Sequence, residues 1–158
     1  MASIDAVRAL SLGAAFALAG CAQQEIEIAE SGMRVEDVTI ETNRGPAHFR
    51  VEVAETEEQQ ARGLMFRQSI ADNRGMLFPF EQPHFAVFWM RNTATSLDII
   101  FIGTNGRIIN VAERATPYSE APIEAEGLTG AVLEIRGGRA EELGIRPGDV
   151  VRHRIFSE

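Results

Sequence analysis

From residue 38 onwards the chain consists mostly of short apolar runs that are separated by turn residues. Eight runs have the length and composition of β-strands: 38–42, 47–53, 76–78, 85–90, 97–102, 107–112, 131–135 and 150–156. In the second run, Phe49 and Val51 alternate with His48 and Arg50, as expected of a strand with one buried and one exposed face. The pattern predicts an all-β fold, a mainly antiparallel β-sandwich or barrel-like domain.

Turn and helix signals agree with that fold. The segment Asn-Arg-Gly-Pro at 43–46 and the Asn-Gly pair at 105–106 each predict a β-hairpin. Thr56 begins a capping-box sequence that starts a helix, and Gly63 is placed to end this helix. A second short helix is predicted over 140–143. One or two short helices are therefore expected beside the strands.

Two of the runs, 85–90 and 97–102, do not alternate. Residues 99–102 are Ile-Ile-Phe-Ile, which is apolar on both faces of a strand. Because a patch of this kind is rarely left in water, its outer face must be covered by a helix, a loop or a ligand. The sequence thus predicts that something packs on the outer side of the sheet.

The sequence Phe-Trp-Met-Arg-Asn-Thr, which starts at Phe88, lies next to this region. Since side chains alternate along a strand, Phe88 and Met90 are predicted to point into the core and Trp89 to lie on the opposite face. Trp89 is then expected to form one wall of a depression. Asn92 and Thr93 are expected to begin the next connection, where an Asn side chain can bond nearby backbone groups.

The first twenty residues have the pattern of a secretion signal, with a weakly charged start, an apolar run over 9–19 and small residues before Cys21. A run of about 11 residues is too short to cross a hydrocarbon layer of ~30 Å as a helix. The ending Leu-Ala-Gly-Cys resembles the bacterial lipobox, in which the cysteine is lipidated and becomes the first mature residue. Residues 1–20 are therefore predicted to be a lipoprotein signal peptide, and Cys21 to be the lipidated residue.

The rest of the chain divides into a tether and a domain. Residues 21–37 are acidic and have few large apolar side chains, which favours a flexible tether. Residues 38–158 are predicted to form a single mainly β domain. The expected location is the bacterial cell envelope, with the domain facing the periplasm and held to the membrane by its lipid anchor.

Composition removes several classes of function. The chain has 158 residues and a net charge of −8, so one domain is expected and binding to nucleic-acid phosphates is not. All 15 basic residues are arginine, which excludes Schiff-base chemistry and a Walker-type lysine. Cys21 is the single cysteine, so the sequence predicts neither a disulfide framework nor a thiolate metal cluster. We predict no metal and no cofactor.

Several sequence blocks occur in a recognisable order. They are Arg-Gly-Leu-Met-Phe-Arg at 62–67, Gly-Met-Leu-Phe-Pro-Phe at 75–80, the Phe-Trp-Met-Arg-Asn-Thr block at 88–93, Ser-Leu-Asp-Ile-Ile-Phe at 96–101 and Val-Leu-Glu-Ile at 132–135. Together they resemble the domain of unknown function 192 family, which occurs as small exported or lipoprotein domains in bacteria and archaea. The resemblance covers about residues 40–156 and implies a mainly β, sandwich-like domain. It implies no established activity.

A set of polar and aromatic residues among apolar neighbours is the candidate ligand site: Arg62, Arg67, Trp89, Asn92, Thr93 and Asp98. Asp98 lies in an apolar run, and a buried carboxylate there needs a partner such as Arg62 or Arg67. The set favours a binding or accessory module that presents a shallow apolar pocket near Trp89 to a small molecule, glycan or peptide. No serine lies in Gly-x-Ser-x-Gly and no histidine in His-Glu-x-x-His, so no signature indicates catalysis.

Two alternatives remain open. A glycan-active hydrolase would use Asp98 with Glu134 or Glu81, with carboxyl groups about 5 Å apart for retention and about 6.5–9.5 Å apart for inversion. A soft Cu(I) ion would instead be bound by thioethers, although methionine is also a common filler of irregular cores. The thioethers for such a site are those of Met65, Met76 and Met90.

Overall fold

The computed structural model describes residues 26–156. This part of the chain contains ten strands, two short α-helices and a final 3-10 turn. In chain order they are β1 (Glu27–Ile28), β2 (Arg34–Thr42), β3 (Gly45–Val53), α1 (Glu57–Arg62), β4 (Arg74–His84), β5 (Val87–Phe88), β6 (Leu97–Gly103), β7 (Ile108–Ala115), β8 (Ile123–Glu124), β9 (Thr129–Arg136), α2 (Arg139–Leu143), β10 (Val150–Arg152) and the 3-10 turn Arg154–Phe156.

Eight strands form one sheet in the order β1-β2-β3-β4-β9-β6-β7, with β10 also paired to β2. Neighbouring strands are antiparallel except β3 and β4, which are parallel. The connection between these two contains α1, and parallel strands require such a crossover. β5 and β8 form a separate two-stranded sheet. The prediction of a mainly antiparallel, all-β, sandwich-like fold is confirmed, and over residues 26–156 the sheet is not a closed barrel.

Two apolar clusters lie on opposite faces of this sheet. Consecutive strand residues belong to different clusters, because side chains alternate between faces. The first cluster includes Ile40, Phe49, Val51, Leu77, Ile100 and Leu133. The second includes Met76, Phe78, Met90, Ile99, Phe101 and Val132, together with Leu64 and Ala86 from the connecting segments. The outer face of β6 is therefore covered by loops, as its two apolar faces predicted.

The domain begins earlier than predicted. β2 starts at Arg34 rather than at residue 38, and β1 pairs with it, so residues 27–28 and 34–37 of the predicted tether 21–37 belong to the sheet. Its acidic residues find partners in the domain: the Glu36 carboxylate lies 2.7 Å from Nε of Arg154. An acidic composition that suggested a solvated tether thus reflects ion pairs along the edge of the sheet.

Other strand boundaries also differ from the predicted ones, because pairing with neighbouring strands, rather than the local sequence pattern, determines where these strands begin and end. β4 is longer than the predicted run 76–78, whereas only two residues of the run 85–90 form a strand. The last run ends as a 3-10 turn after β10. The first helix is confirmed, since Thr56 caps it by accepting a hydrogen bond from the Gln59 N–H at 3.2 Å.

The predicted signal peptide and the predicted lipid site at Cys21 lie outside the described residues and stay predictions. Within residues 26–156, neither α-helix has the length and hydrophobicity that a membrane span would need.

Candidate ligand-binding site

A cavity of about 220 Å³ lies between α1, the end of β4 and the segment around β5. Four aromatic residues line it: Phe78 and Phe80 from β4, Phe88 from β5, and the following Trp89. The ring centroids of Phe78 and Phe88 are 5.2 Å apart and their planes are almost perpendicular, at 86°. Aromatic rings in this edge-to-face arrangement stabilise each other, and here they form two adjoining walls.

The carboxyl group of Glu134 belongs to the lining of the same cavity. In β9 this residue pairs with Ile99 of β6, so its side chain lies on the sheet face of the second apolar cluster. Glu134 is only 5% exposed, and its carboxyl group has no hydrogen bond or ion pair with any described residue. Burial raises the pKa of Glu134 to about 8. The cavity therefore contains a buried acid that no described residue compensates.

Close packing of β4 against β9 fixes the backbone at Glu134. A Cβ atom at Gly75 would lie 2.3 Å from the backbone oxygen of Glu134, a distance that real Cβ atoms do not adopt. Glycine at position 75 therefore permits the approach of the two strands. The carboxyl group is thus carried by a rigid central strand.

Residues at the end of α1 form the mouth of the cavity. The Arg62 side chain is exposed and makes no hydrogen bond or ion pair with the other described residues. Gly63 ends the helix with a φ of 48°, and a Cβ at this position would lie 3.4 Å from Cζ of Phe78. Glycine therefore suits both the backbone conformation and the contact with the ring. On the other side, the ring of His84 lies 4.4 Å from that of Phe80.

The segment from Phe88 to Met90 has the predicted orientation. Met90 is fully buried, Phe88 packs against the second apolar cluster, and Trp89 is 48% exposed and lines the cavity. The guanidinium carbon of Arg91 lies 4.7 Å from the centre of the Trp89 ring, a cation–π contact. Trp89 thus stands at the edge of the cavity, as expected of a wall residue.

Asn92 and Thr93 have different positions in this site. Asn92 adopts a φ of 54°, and its carbonyl oxygen accepts a hydrogen bond from the Phe66 N–H at 2.8 Å. This bond joins the loop after α1 to the segment after β5. Asn92 therefore supports the rim without lining the cavity, whereas Thr93 is buried and lines it.

Sequence comparison decides the family. A profile of the domain of unknown function 192 family (DUF192), described as "Uncharacterized ACR", matches residues 38–153. The chain belongs to this family. No curated protein matches the chain.

Two crystal structures resemble this member of the family. A protein of unknown function from Novosphingobium aromaticivorans DSM 12444 is 46% identical, with a TM-score of 0.80 over 83% of this chain and 94% of that one. A protein of Sinorhizobium meliloti 1021, named as a candidate transcription regulator, is 36% identical, with a TM-score of 0.73 over 76% of this chain and 94% of that one.

Asp98, which lies in a sequence block typical of the family, is fully buried on the opposite face of the sheet. Its Oδ1 accepts hydrogen bonds from the backbone N–H groups of Arg114 at 2.7 Å and Gly138 at 2.9 Å, and its Oδ2 from that of Ala140 at 2.7 Å. The prediction of an arginine side chain as the partner of Asp98 is wrong, because backbone amides at the start of α2 satisfy this carboxylate. Asp98 is therefore a structural residue outside the cavity.

The two arginines that were predicted as partners of that carboxylate lie elsewhere. Arg67 forms a bidentate ion pair with Glu52, with Nη1–Oε1 and Nη2–Oε2 distances of 2.6 and 2.7 Å. Arg67 lies outside the lining of the Trp89 cavity and lines a neighbouring cleft instead. Arg62 remains at the mouth of the cavity. Of the predicted site residues, the structure thus brings together Arg62, Trp89 and Thr93.

The carboxylate pair of the hydrolase alternative is not formed. Asp98 and Ile99 are consecutive in β6, and Glu134 pairs with Ile99, so the two carboxyl groups project to opposite faces of the sheet. Glu81 is exposed and does not line the cavity. The structure therefore separates the residues that would have shared a substrate.

The three methionines of the copper alternative do not line the cavity together. Met76 and Met90 are fully buried in the second apolar cluster, and of the three only Met65 lines the cavity. Within residues 26–156, no group of three or more His, Cys, Asp or Glu side chains could hold a metal ion.

The sequence did not indicate Phe78, Phe80 or His84 as site residues, and Glu134 was predicted only as a candidate second carboxylate of the hydrolase alternative. One signal was available for Glu134. It interrupts Val-Leu-Glu-Ile, a run that is otherwise apolar on both faces, and a charge in such a strand needs an explanation. Phe78 and Phe80 have the sequence pattern of ordinary core residues, and both do pack in or against the second apolar cluster.

Proposed function

We propose that this domain is a ligand-binding module and that its site is the cavity between Trp89 and Glu134. The observation that carries the proposal is the Glu134 carboxyl group, which is buried without a partner among residues 26–156 and lines an aromatic cavity. Burial of an uncompensated acid costs stability. Residues that break a stability rule inside a concave pocket are typical of functional sites.

The size and the surroundings of the cavity limit the ligand. About 220 Å³ is below the roughly 300–1,000 Å³ of sites for drug-sized ligands, so the cavity suits a small molecule, or one end of a glycan or peptide. Phe66, Val87 and Trp89 expose large apolar surfaces beside it. These side chains offer contacts to the part of the ligand that remains outside.

The regulatory role in the name of the Sinorhizobium meliloti relative is not extended to this chain. A protein with a net charge of −8 lacks the excess of cations that binding to nucleic-acid phosphates requires. A pocket with a buried acid is also unsuited to a phosphate group. The proposed partner is therefore a small molecule, glycan or peptide.

Trp89 allows a direct test, because it is the single tryptophan and its fluorescence reports on the cavity. We would titrate the purified domain with a collection of small molecules, glycans and peptides from bacterial envelopes. Binding should change the fluorescence of wild-type protein and disappear in Ala61→Phe, which places a ring on an exposed lining residue of the mouth. Ala121→Phe, an exposed position outside the lining, is the matched control. A full collection without any binder, or unchanged binding by Ala61→Phe, would refute the proposal.

We further propose that the protein is an envelope lipoprotein that faces the periplasm and is anchored through Cys21. The support is the Leu-Ala-Gly-Cys ending of an otherwise ordinary signal sequence. Since a single acyl chain gives only marginal, reversible binding, stable anchoring requires a second signal such as further acylation.

Substitution of the anchoring residue tests this location. In the expressing bacterium, Cys21→Ala should release the domain in soluble form or leave the precursor uncleaved, whereas Ala22→Ser should stay with the membranes like wild type. Membrane fractionation and immunoblotting measure both outcomes. If Cys21→Ala stays with the membranes as a cleaved chain of wild-type mature size, the lipoprotein assignment is wrong.

A further inference from the structure

We propose that the ligand of this cavity is a small organic cation whose ammonium head lies between the aromatic rings and the carboxylate of Glu134. This inference rests on the proposed binding function and specifies the chemical class of the ligand. It follows from three features of the site: the aromatic walls, the buried acid without a partner, and the absence of a second charged group close enough to compensate that acid among the described residues.

The aromatic walls are the first feature. The faces of aromatic rings carry partial negative charge and attract ammonium groups, most strongly when water is excluded. Phe78, Phe80, Phe88 and Trp89 surround the cavity, and the perpendicular rings of Phe78 and Phe88 make a corner. Such a corner can contact a rounded, methylated or protonated nitrogen from two sides. An anion would meet the same rings with repulsion.

The buried acid distinguishes a cation from a neutral ligand. Glu134 has no hydrogen-bond or ion-pair partner in the part of the chain that the structure describes, so its ionised form is disfavoured until a positive group replaces the lost hydration. A sugar or another neutral ligand could accept a hydrogen bond from the protonated acid but would not stabilise the carboxylate. A cation compensates the buried charge and also contacts the rings, so both features of the cavity favour the same chemistry.

The remaining charged and titratable groups of the lining are Arg62 and His84. Burial is the cause of the raised pKa of Glu134. Arg62 at the mouth and Arg91 beside the Trp89 ring are both exposed, so solvent and salt screen their repulsion of an incoming cation, and Arg91 is also paired with Glu120. The net charge of −8 attracts cations to the molecule as a whole.

Binding of a cation should be coupled to release of a proton from Glu134. Below a pKa of about 8, each pH unit lowers the ionised fraction of this acid about tenfold, so the affinity for a permanent cation should rise about tenfold per unit and level off above pH 8. A neutral ligand should show no such dependence.

Choline and 3,3-dimethylbutan-1-ol form a matched pair of probes, since they have nearly the same shape and differ in the positive charge. We would titrate the wild-type domain with each at pH 6, 7 and 9 and follow the fluorescence of Trp89. Ethanolamine provides a smaller ammonium probe. We expect at least one of the cations to bind, choline to bind at least about tenfold more tightly than its neutral isostere at pH 9, and this preference to shrink at pH 6.

Glu134→Gln tests the role of the acid, because the amide keeps the shape of the side chain and removes its charge. This variant should lose the pH dependence and most of the preference for choline over its neutral isostere. Glu81→Gln, an exposed glutamate outside the lining, is the control and should behave as wild type.

The outcomes separate this inference from the proposed function. If neutral members of the envelope collection bind and the ammonium probes do not, the cavity binds ligands but the cation assignment is wrong. Equal affinity for choline and its isostere, or full choline binding by Glu134→Gln, would overturn it as well. If nothing in the collection and neither ammonium probe binds, both the inference and the proposed function fail.

Discussion

Trp89 is the residue at which a core role and a ligand role are easiest to separate. Its side chain is 48% exposed, so it contributes less packing than a buried aromatic residue. We expect Trp89→Ala to lower the free energy of unfolding by only about 1 kcal/mol, whereas truncation of a buried aromatic residue costs about 3–5 kcal/mol. Chemical denaturation followed by circular dichroism measures this difference. Ligand binding should be lost in the same variant, and isothermal titration calorimetry measures this loss because the substitution removes the single tryptophan.

Phe78→Ala is the comparison for that measurement, since Phe78 is buried and also lines the cavity. It should cost about 3–5 kcal/mol. If Trp89→Ala destabilises the domain as much as Phe78→Ala, then Trp89 is a core residue and the exposed wall of the cavity does not exist in solution.

At the scale of elements, Asp98 ties β6 to the start of α2 and to β7. Its carboxylate accepts three backbone hydrogen bonds, and hydrogen bonds to a charged group contribute about 1.5–3 kcal/mol each. Asp98→Ala would leave three amides without an acceptor, and we expect it to lower the free energy of unfolding by at least about 3 kcal/mol. Denaturant titration measures this loss of stability. Under conditions where the variant is folded, its affinity for a cavity ligand should equal that of wild type.

Asp149 offers the matched control for that variant. It also accepts a backbone hydrogen bond, from the Arg146 N–H at 2.9 Å, but it is only half-buried, whereas Asp98 is fully buried. Asp149→Ala should therefore cost about 1 kcal/mol or less. A similar small effect of Asp98→Ala would show that the amides near Asp98 find water, and that this carboxylate does not hold α2 in place.

Local signals were enough to predict the elements whose formation is decided locally. The capping box at Thr56, the two hairpins and the alternation in β3 all identify their elements correctly. Contacts between residues far apart in the chain could not be predicted from local sequence. The amide donors to Asp98, for example, include Gly138 and Ala140, which lie 40 and 42 positions away. The two-residue strands β1 and β8 have no periodicity of their own and depend on their partners.

The candidate site was predicted in part for the same reason. Alternation alone places Trp89 opposite Phe88 and Met90. The burial of Glu134 depends on loops after α1 and around β5 that fold over the sheet, and no local pattern shows which residue these loops will cover. A charged residue in a strand that is otherwise apolar on both faces nevertheless indicates, from sequence alone, a position that needs a functional or structural explanation.

At the scale of the whole molecule, carboxyl groups of two kinds set the dependence of stability on pH. For Glu52, burial raises the pKa, but hydrogen bonds from Arg67 and Ser31 outweigh it, so the net pKa is lowered. Its contribution to stability is therefore present above the pKa of the unfolded chain and is lost as the pH falls. Glu134 has the opposite sign, because burial raises its pKa without any compensating partner.

Glu134 should make the free energy of unfolding of the domain depend on pH. Between the ordinary value of 4.5 and about 8, the unfolded chain has lost this proton while the folded domain retains it, so stability decreases as the pH rises through this range. A difference of this size corresponds to roughly 3–5 kcal/mol. Glu134→Gln should match wild type near pH 4.5 and be more stable by about that amount at pH 9. Glu52→Gln should behave oppositely, with a deficit at neutral pH that disappears in acid. Urea denaturation of the three proteins from pH 4.5 to 9 measures these free energies of unfolding. If wild type and Glu134→Gln show the same dependence of stability on pH, then water or a local opening already solvates the acid. The cavity would then lack the uncompensated acid on which ligand binding is proposed to depend.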